Sequence, residues 1–204
     1  MPFTIQDFCI QLIQNMINTT DKPDFRDDLS KSIETLRNGG FVHCNSDCGW
    51  LVGCDATNEN AVNLLLKNSL NFPKSDLVLL VDSTARLQSY TDEMPEIVWD
   101  LMDVSEKPMI VVLDIIKNVA STIQSNNQNI GFRISSWPFT NYLCERFRKP
   151  ILCLHNNDPK NSTISVLNEN TDFVVKHNRT SKIATITPSI IKIGKGNRIE
   201  IIRK

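Results

Sequence analysis

The sequence predicts a three-layer α/β domain built on a mixed β-sheet. Three observations carry that prediction. Strands and helices alternate through the middle of the chain, and strands alone close it. Two strands, Asp76–Val81 with its uninterrupted aliphatic run Leu77–Val81, and Met109–Leu113, are short and apolar, the mark of strands buried on both faces. Hydrophobic residues make up 41% and charged residues 22% of the 204, a balance that supports a packed core.

Residues 3–18 read as a first helix, with Phe8, Leu12, Ile13, Met16 and Ile17 on one face. Asp24 suits the N-cap of a second helix, with Asp27 and Asp28 placed well for its dipole. Phe25, Leu29, Ile33 and Leu36 recur at helical spacing as a core stripe, and Gly39 ends the element. Phe41–Cys44 follows as a short buried strand, Asn45-Ser46-Asp47 as a polar turn, and Gly49–Gly53 as a second, Gly-rich turn. Asn58 or Thr57 caps a helix through Ala61, Val62, Leu65 and Leu66. Ser83 caps a short helix to about Tyr90, and Pro95 opens another through Ile97, Val98, Leu101 and Met102.

Residues 117–129 are Asn-, Gln- and Ser-rich and read as a loop. Ile130–Ile134 alternates as a strand, Pro138–Phe147 is a helix, Pro150–Leu154 a strand, and His155–Pro159 a turn cluster. The tail gives β-like runs at Asp172–Lys176, Ile183–Thr187 with Ser189–Ile193, and Arg198–Ile202. Gly194-Lys195-Gly196-Asn197 forms the last hairpin turn.

Net charge is −1, which argues against a strongly basic nucleic-acid binder. The aliphatic runs are too short to span a bilayer, and Met1–Asp7 lacks a basic, then apolar, leader pattern. The expectation is a cytoplasmic protein with no membrane contact. Six scattered cysteines (9, 44, 48, 54, 144, 153) form no C-x-x-C pair, so reduced buried thiols are expected. Cys44, Cys48, Cys54, His43 and His155 match no common zinc spacing, and no metal site is expected.

Several residues still carry chemistry. Asn45-Ser46-Asp47 offers three hydrogen-bonding side chains where ligands often bind in α/β folds; the same residues also serve turns that bond their own backbone. Arg133 interrupts an apolar strand and needs an anion, from a protein carboxylate or from a ligand. His155 stands where it either faces a pocket or supports the core. A nucleophile site built on Cys44, Cys48 and His155 would require thiol and imidazole within hydrogen-bond reach. Gly49–Gly53 lacks the Lys-Ser/Thr ending of a phosphate loop. Arg146-Phe147-Arg148-Lys149 suits a helix C-terminus and, less directly, an RNA backbone.

From Leu29 to Arg203 the order of motifs resembles the YrdC-like family of threonylcarbamoyl-AMP synthases, especially its single-domain bacterial form. The carrying residues are Leu36–Gly40, Asp47, Trp50, Gly53-Cys54-Asp55-Ala56-Thr57-Asn58 with Ala61-Val62, and Val81-Asp82-Ser83. Later matches are Leu87–Tyr90, Trp99–Leu101, Lys107-Pro108, Ile130–Ile134, Leu143–Ile151 and Ile190–Gly196. The resemblance implies a YrdC-like three-layer α/β fold, a twisted mixed sheet flanked by helices around an open concave pocket. It divides the chain into an N-terminal helical extension, 1–22, and a YrdC-like domain, 23–204. It implies ATP with Mg, threonine and bicarbonate as substrates, no tightly bound cofactor, a place in N6-threonylcarbamoyladenosine formation on tRNA, and double-stranded RNA as a further partner.

Carried over by position, the resemblance assigns substrate or nucleotide binding to Ser46, Asp47, Arg133, Asn157 and Ser189, with Lys74 as a candidate replacement cation. Cys48, Ser69, Asn71 and His155 line the pocket. The departures cluster there. The family's Pro-Thr-Asp-Thr turn stands as Asn45-Ser46-Asp47-Cys48. Its Lys-x-Arg falls on Ser69-Leu70-Asn71, its Pro-Leu-Thr on Pro108-Met109-Ile110, and its Ser-Ala-Asn on His155-Asn156-Asn157. Chemistry on ATP uses cations to stabilise phosphate charge, and Ser and Asn bring none. Two readings follow: a degenerate site with a nucleotide- or RNA-binding role, and a divergent but active synthase. No catalytic residue is assigned in either.

Overall fold

A computed structural model of the chain describes residues 24–69, 77–105, 107–125, 130–156, 173–177, 186–194, 196 and 198–204. The expected helix at 3–18 and the candidate residues Asn71, Lys74 and Asn157 lie outside the described residues.

Helix α1 (Arg26–Arg37) carries Asp27 and Asp28 in its first turn and Arg37 in its last. Phe25, not Asp24, takes the N-cap position; the Asp24 carboxylate instead accepts from the Arg26 backbone N–H at 3.3 Å and from its guanidinium at 2.9 Å. Gly39 follows at φ +79°, the left-handed turn that ends the helix. Strands β1 (Val42–Ser46) and β2 (Gly49–Asp55) pair as a hairpin in which Ser46 faces Gly49. Gly49–Gly53 is thus strand, not turn. Gly53 is needed for close approach: a Cβ there would lie 2.8 Å from Ile151 Cγ2 and 3.0 Å from Cys153 Sγ.

Asn58 caps α2 (Glu59–Asn68), its side chain accepting from the Ala61 N–H at 3.1 Å. Strand β3 (Leu77–Val81) leads through Ser83, a true side-chain cap, into α3 (Thr84–Leu87) and a 3₁₀ turn at Gln88–Tyr90. Helix α4 (Glu96–Val104) follows Pro95, and β4 covers Met109–Leu113. Within the stretch expected to be loop, Ser121–Ser125 forms α5. Tertiary contacts make that helix: the Glu59 carboxylate accepts the N–H groups of Ser121 (2.7 Å) and Thr122 (3.1 Å), and Ile123 is fully buried. The remaining elements are β5 (Gly131–Ile134), α6 (Pro138–Phe147), β6 (Ile151–Asn156), β7 (Phe173–Val174), β8 (Ser189–Gly194) and β9 (Arg198–Arg203). His155 and Asn156 therefore continue a strand that sequence ended at Leu154, and Ile186-Thr187 forms no strand.

The strands form one mixed sheet in the order β7-β1-β2-β6-β3-β5-β4-β8-β9. Alternation along each strand feeds two cores. Leu79, Val81, Val111 and Phe132 meet Ala61, Leu65, Leu87, Val98 and Ile123 from α2–α5 on one face. Val78, Leu80, Cys44 and Cys153 meet Leu36, Phe139, Leu143 and Phe147 from α1 and α6 on the other. These are the three layers. The same alternation carries Ser46, Arg133 and His155 to the α1/α6 face. No helix among the described residues is long and apolar enough to cross a membrane.

Gly131 fixes the β4–β5 contact. A Cβ at this position would meet Ile110 Cγ2 at 2.5 Å, the Val111 carbonyl oxygen at 2.9 Å and Val112 Cγ2 at 3.0 Å. The carbonyl is backbone and does not yield, so Gly131→Ala is expected to cost about 1–3 kcal/mol. Urea unfolding followed by circular dichroism would read this as a lowered midpoint at an unchanged slope; an unchanged midpoint would refute it.

Candidate functional site

Asp47 occupies the tight turn between β1 and β2 and is 8% exposed. Its carboxylate is fully engaged. One oxygen accepts from the Arg133 guanidinium and from Ser135 Oγ at 3.0 Å. The other accepts from the Ser136 N–H and the Ser136 hydroxyl, each at 2.9 Å. Burial alone would push this carboxyl up. The adjacent guanidinium and the Ser136 hydrogen bonds outweigh it and hold the carboxyl below the usual aspartate range.

Arg133 is completely buried. Its second terminal nitrogen lies 3.0 Å from His155 Nε2. A guanidinium only donates, so Nε2 is the acceptor, which assigns His155 as neutral imidazole with its proton on Nδ1. The Arg133 Nε is buried without a hydrogen-bond partner among the described residues. The loop beyond β5 is locked in turn: Ser135 and Thr140 hydroxyls lie 2.6 Å apart, and Asn141 Nδ2 donates to the Ser135 carbonyl at 3.2 Å. Of the alternatives open for Arg133, the anion is therefore a protein carboxylate, and His155 supports that pair.

The other candidates separate. Ser46 Oγ donates to the Gly49 carbonyl at 2.9 Å and accepts the Cys48 N–H at 3.2 Å, so its hydroxyl serves the turn. Ser69 is buried at the C-terminus of α2, where its hydroxyl donates to the Leu66 carbonyl at 2.9 Å. Ser189 opens β8 beside Met109, and its N–H donates to the Pro108 carbonyl at 3.1 Å. Cys48 is 2% exposed, and burial pushes its thiol up to about 11. Burial also raises Cys44, so neither thiol is a ready nucleophile. Among the described residues, no group of three or more His, Cys, Asp and Glu is placed to hold a metal ion.

Sequence reading missed three residues. Ser135 and Ser136 directly follow the Arg-bearing strand and precede the helix-opening Pro138, a position suited to polar anchoring. Arg203 ends β9, donates from Nε to the Pro188 carbonyl at 2.9 Å, and together with Arg133 pulls the Cys48 thiol downward against burial. From the end of β9, beside the start of β8, Arg203 thus lends positive charge toward Cys48 in the β1–β2 turn. A cleft of about 520 Å³ lies elsewhere, between the segment before α4 and the β8–β9 hairpin, and none of the described candidate residues lines it.

A mixed sheet of nine strands among the described residues, covered by helices on both faces, with a buried carboxylate–guanidinium–imidazole cluster, defines an α/β domain. A sequence model that groups Sua5, YciO and YrdC proteins, described as telomere recombination, matches residues 34–204, and the chain belongs to that family. It is 22% identical over 130 residues to the threonylcarbamoyl-AMP synthase of Coxiella burnetii, covering 63% of this chain and 70% of that protein. Against the threonylcarbamoyl-AMP synthase of Photobacterium profundum it is 26% identical over 133 residues, covering 61% and 69%. The crystal structure of Escherichia coli YciO superposes with a TM-score of 0.68 at 18% identity, over 90% of this chain and 91% of that one.

Proposed function

We propose that this chain is a YrdC-like binding protein that keeps the synthase scaffold and holds a nucleotide-class anion without efficient formation of threonylcarbamoyl-AMP. One observation carries this reading. At the position resembling the family's lysine stands Ser69, buried, with its hydroxyl bonded to the Leu66 carbonyl. It offers no charge to a phosphate. The buried Arg133 is committed to Asp47 and His155. Adenylate synthesis builds charge on the phosphates and leaving group and depends on cations aimed at it. Arg203 beside Cys48 supplies positive charge to the same neighbourhood, which favours binding of an anion. RNA is the weaker partner: in the basic run at the end of α6, Lys149 is spent on Asp55 at 2.7 Å.

The test is product formation by the full chain. Purified protein is incubated with ATP-Mg, threonine and bicarbonate, beside the Photobacterium profundum enzyme, and threonylcarbamoyl-AMP is sought by mass spectrometry. The expected result is no product above a protein-free control, with ATP or AMP binding detected by calorimetry. Clear turnover would overturn this reading in favour of an active divergent synthase working through Ser46, Asp47, Arg133, Asn157 and Lys74.

A further inference from the structure

The cleft of about 520 Å³ opens on the α2–α5 face of the sheet, between the segment before α4 and the end of β8. Its volume falls within the roughly 300–1,000 Å³ of pockets that enclose a bound group. The floor is apolar. Leu113, Ile193 and Ile199 stand in one cross-strand row, and Val111, Ile191 and Ile201 in the next. The β4 and β8 members pack into the core that Val98 of α4 joins. The β9 members are left exposed, Ile199 by 48% and Ile201 by 57%. The rim is acidic, with Asp92, Glu93, Glu96 and Asp114 lining the cleft. Asp92 is matched by Lys117 at 2.9 Å, and Lys192 lies 3.9 Å from Asp114. Glu93 and Glu96 have no ion-pair partner among the described residues. The positive pole of α4 accounts for Glu96, in its first turn. It does not account for Glu93, which precedes the helix and is exposed.

We propose that this groove docks a basic, apolar segment of a partner protein. Its aliphatic side chains lie on the Ile193–Ile199 row, and its lysine or arginine side chains meet Glu93 and Glu96. An apolar surface rimmed by polar groups marks an interaction site, and the sign of the rim selects the partner. An acidic rim attracts cationic segments and repels acidic ones, which is specificity by charge. The charge argument also ranks the rival occupants. The charged side chains of the chain's own residues 1–23 are Asp7, Asp21 and Lys22, so that segment brings no excess of positive charge. A second copy docking through the same face brings the same acidic rim against it. The groove is on the face opposite Ser46, Arg133 and His155, so its occupant is independent of any ligand held there.

Fluorescence anisotropy with the full chain tests the docking, using the labelled peptide Lys-Leu-Lys-Leu-Lys-Leu as probe. Glu-Leu-Glu-Leu-Glu-Leu and Lys-Ser-Lys-Ser-Lys-Ser are its counterparts without the cations and without the apolar side chains. The expected result is binding of the first, with both counterparts weaker by at least about ten-fold. Glu93→Lys with Glu96→Lys should weaken the probe by about ten-fold. Glu34→Lys with Glu145→Lys changes the net charge equally from exposed positions on α1 and α6, and should leave the affinity within about two-fold. Ile199→Ser with Ile201→Ser leaves the charge alone and should also cost about ten-fold. All of these side chains are exposed, and circular dichroism confirms that each variant is folded. No binding of the basic apolar peptide overturns the proposal. So does binding that the Glu34 and Glu145 reversals weaken as much as the rim reversals, which is attraction by bulk charge only. Binding that appears only after Leu12→Asp with Met16→Asp assigns the groove to the chain's own N-terminal segment, and binding that appears only after Lys195→Gln assigns the rim to the hairpin's own lysine. A dimer in sedimentation that Ile199→Ser with Ile201→Ser abolishes assigns the groove to a second copy. Each of these three results also overturns the proposal.

Discussion

Arg133→Leu is expected to destabilise the fold by about 3–5 kcal/mol, the range for removing one partner of a buried ion pair. The guanidinium is fully buried and holds both the Asp47 carboxylate and His155 Nε2. Without it, Asp47 keeps its charge in a nearly dry turn with only serine donors, and His155 loses its partner. Arg133→Leu combined with Asp47→Asn should recover more than half of the loss, because the stranded charge goes with it while the amide oxygen still accepts the Ser136 N–H and hydroxyl and the amide nitrogen donates to Ser135 Oγ. The pH dependence separates this account from simple misfit. In the native chain the Asp47 carboxyl lies below its ordinary value near about 4. The unfolded chain therefore binds a proton first as pH falls. The stabilisation is fully present above the unfolded value and is lost as pH falls through the folded one. In Arg133→Leu the carboxyl moves upward, since the largest opposing influence on its burial has gone. The stability gap between the two proteins should then narrow on acidification. Chemical denaturation at neutral pH and at mildly acidic pH measures it, and a gap constant with pH would contradict the assignment.

How much of this was legible in sequence depends on whether the determining contact is local. β4 and α6 were read residue for residue, because a continuous apolar run and a Pro-opened amphipathic stretch each carry their own signal. The strand β2 was not, because Gly49 and Gly53 look like turn residues; the reason for Gly53 is the approach of Ile151 and Cys153, nearly one hundred positions away. α5 was lost for the same reason, since its polar residues become helical only once Glu59 caps them from another helix. In the site, the demand of Arg133 for an anion was plain from one charge in an apolar strand. Its answer, Asp47, lies 86 residues earlier, and no spacing rule links the two. Ser46 shows the opposite case: the polar trio at the strand's end was open to a ligand or a turn, and a hydroxyl bonded to Gly49 settles that residue as turn. The family resemblance pointed to Asp47, Arg133 and His155, which the structure brings together, but not to Arg203 at the end of β9, whose charge acts on Cys48.

On the proposed reading missing cations hold back the chemistry, so returning them should start the reaction. The double variant Ser69→Lys with Asn71→Arg rebuilds the Lys-x-Arg pattern that the family carries at these positions. Each donor aimed at developing charge is worth on the order of 10²-fold in rate, so threonylcarbamoyl-AMP formation should rise by at least that factor over the unaltered chain. The structure around Ser69 permits its change. Ser69 ends α2, where a cation meets the helix's negative pole, and its present hydrogen bond is to a single carbonyl that solvent or the lysine itself can satisfy. The buried position costs some stability, and a long side chain relieves it by carrying its ammonium out of the core. On the same reading, His155→Ser in this background separates two causes. His155 fills a position where the family has a small hydroxyl, and its imidazole holds Arg133. If the rise appears only when His155→Ser accompanies the cations, the bulk of the imidazole is the second block. If the cations alone suffice, His155 is a support for Arg133 and nothing more. Mass spectrometry of the product measures both variants. A folded triple variant that binds ATP yet yields no product would show that missing charges do not account for the lack of synthesis.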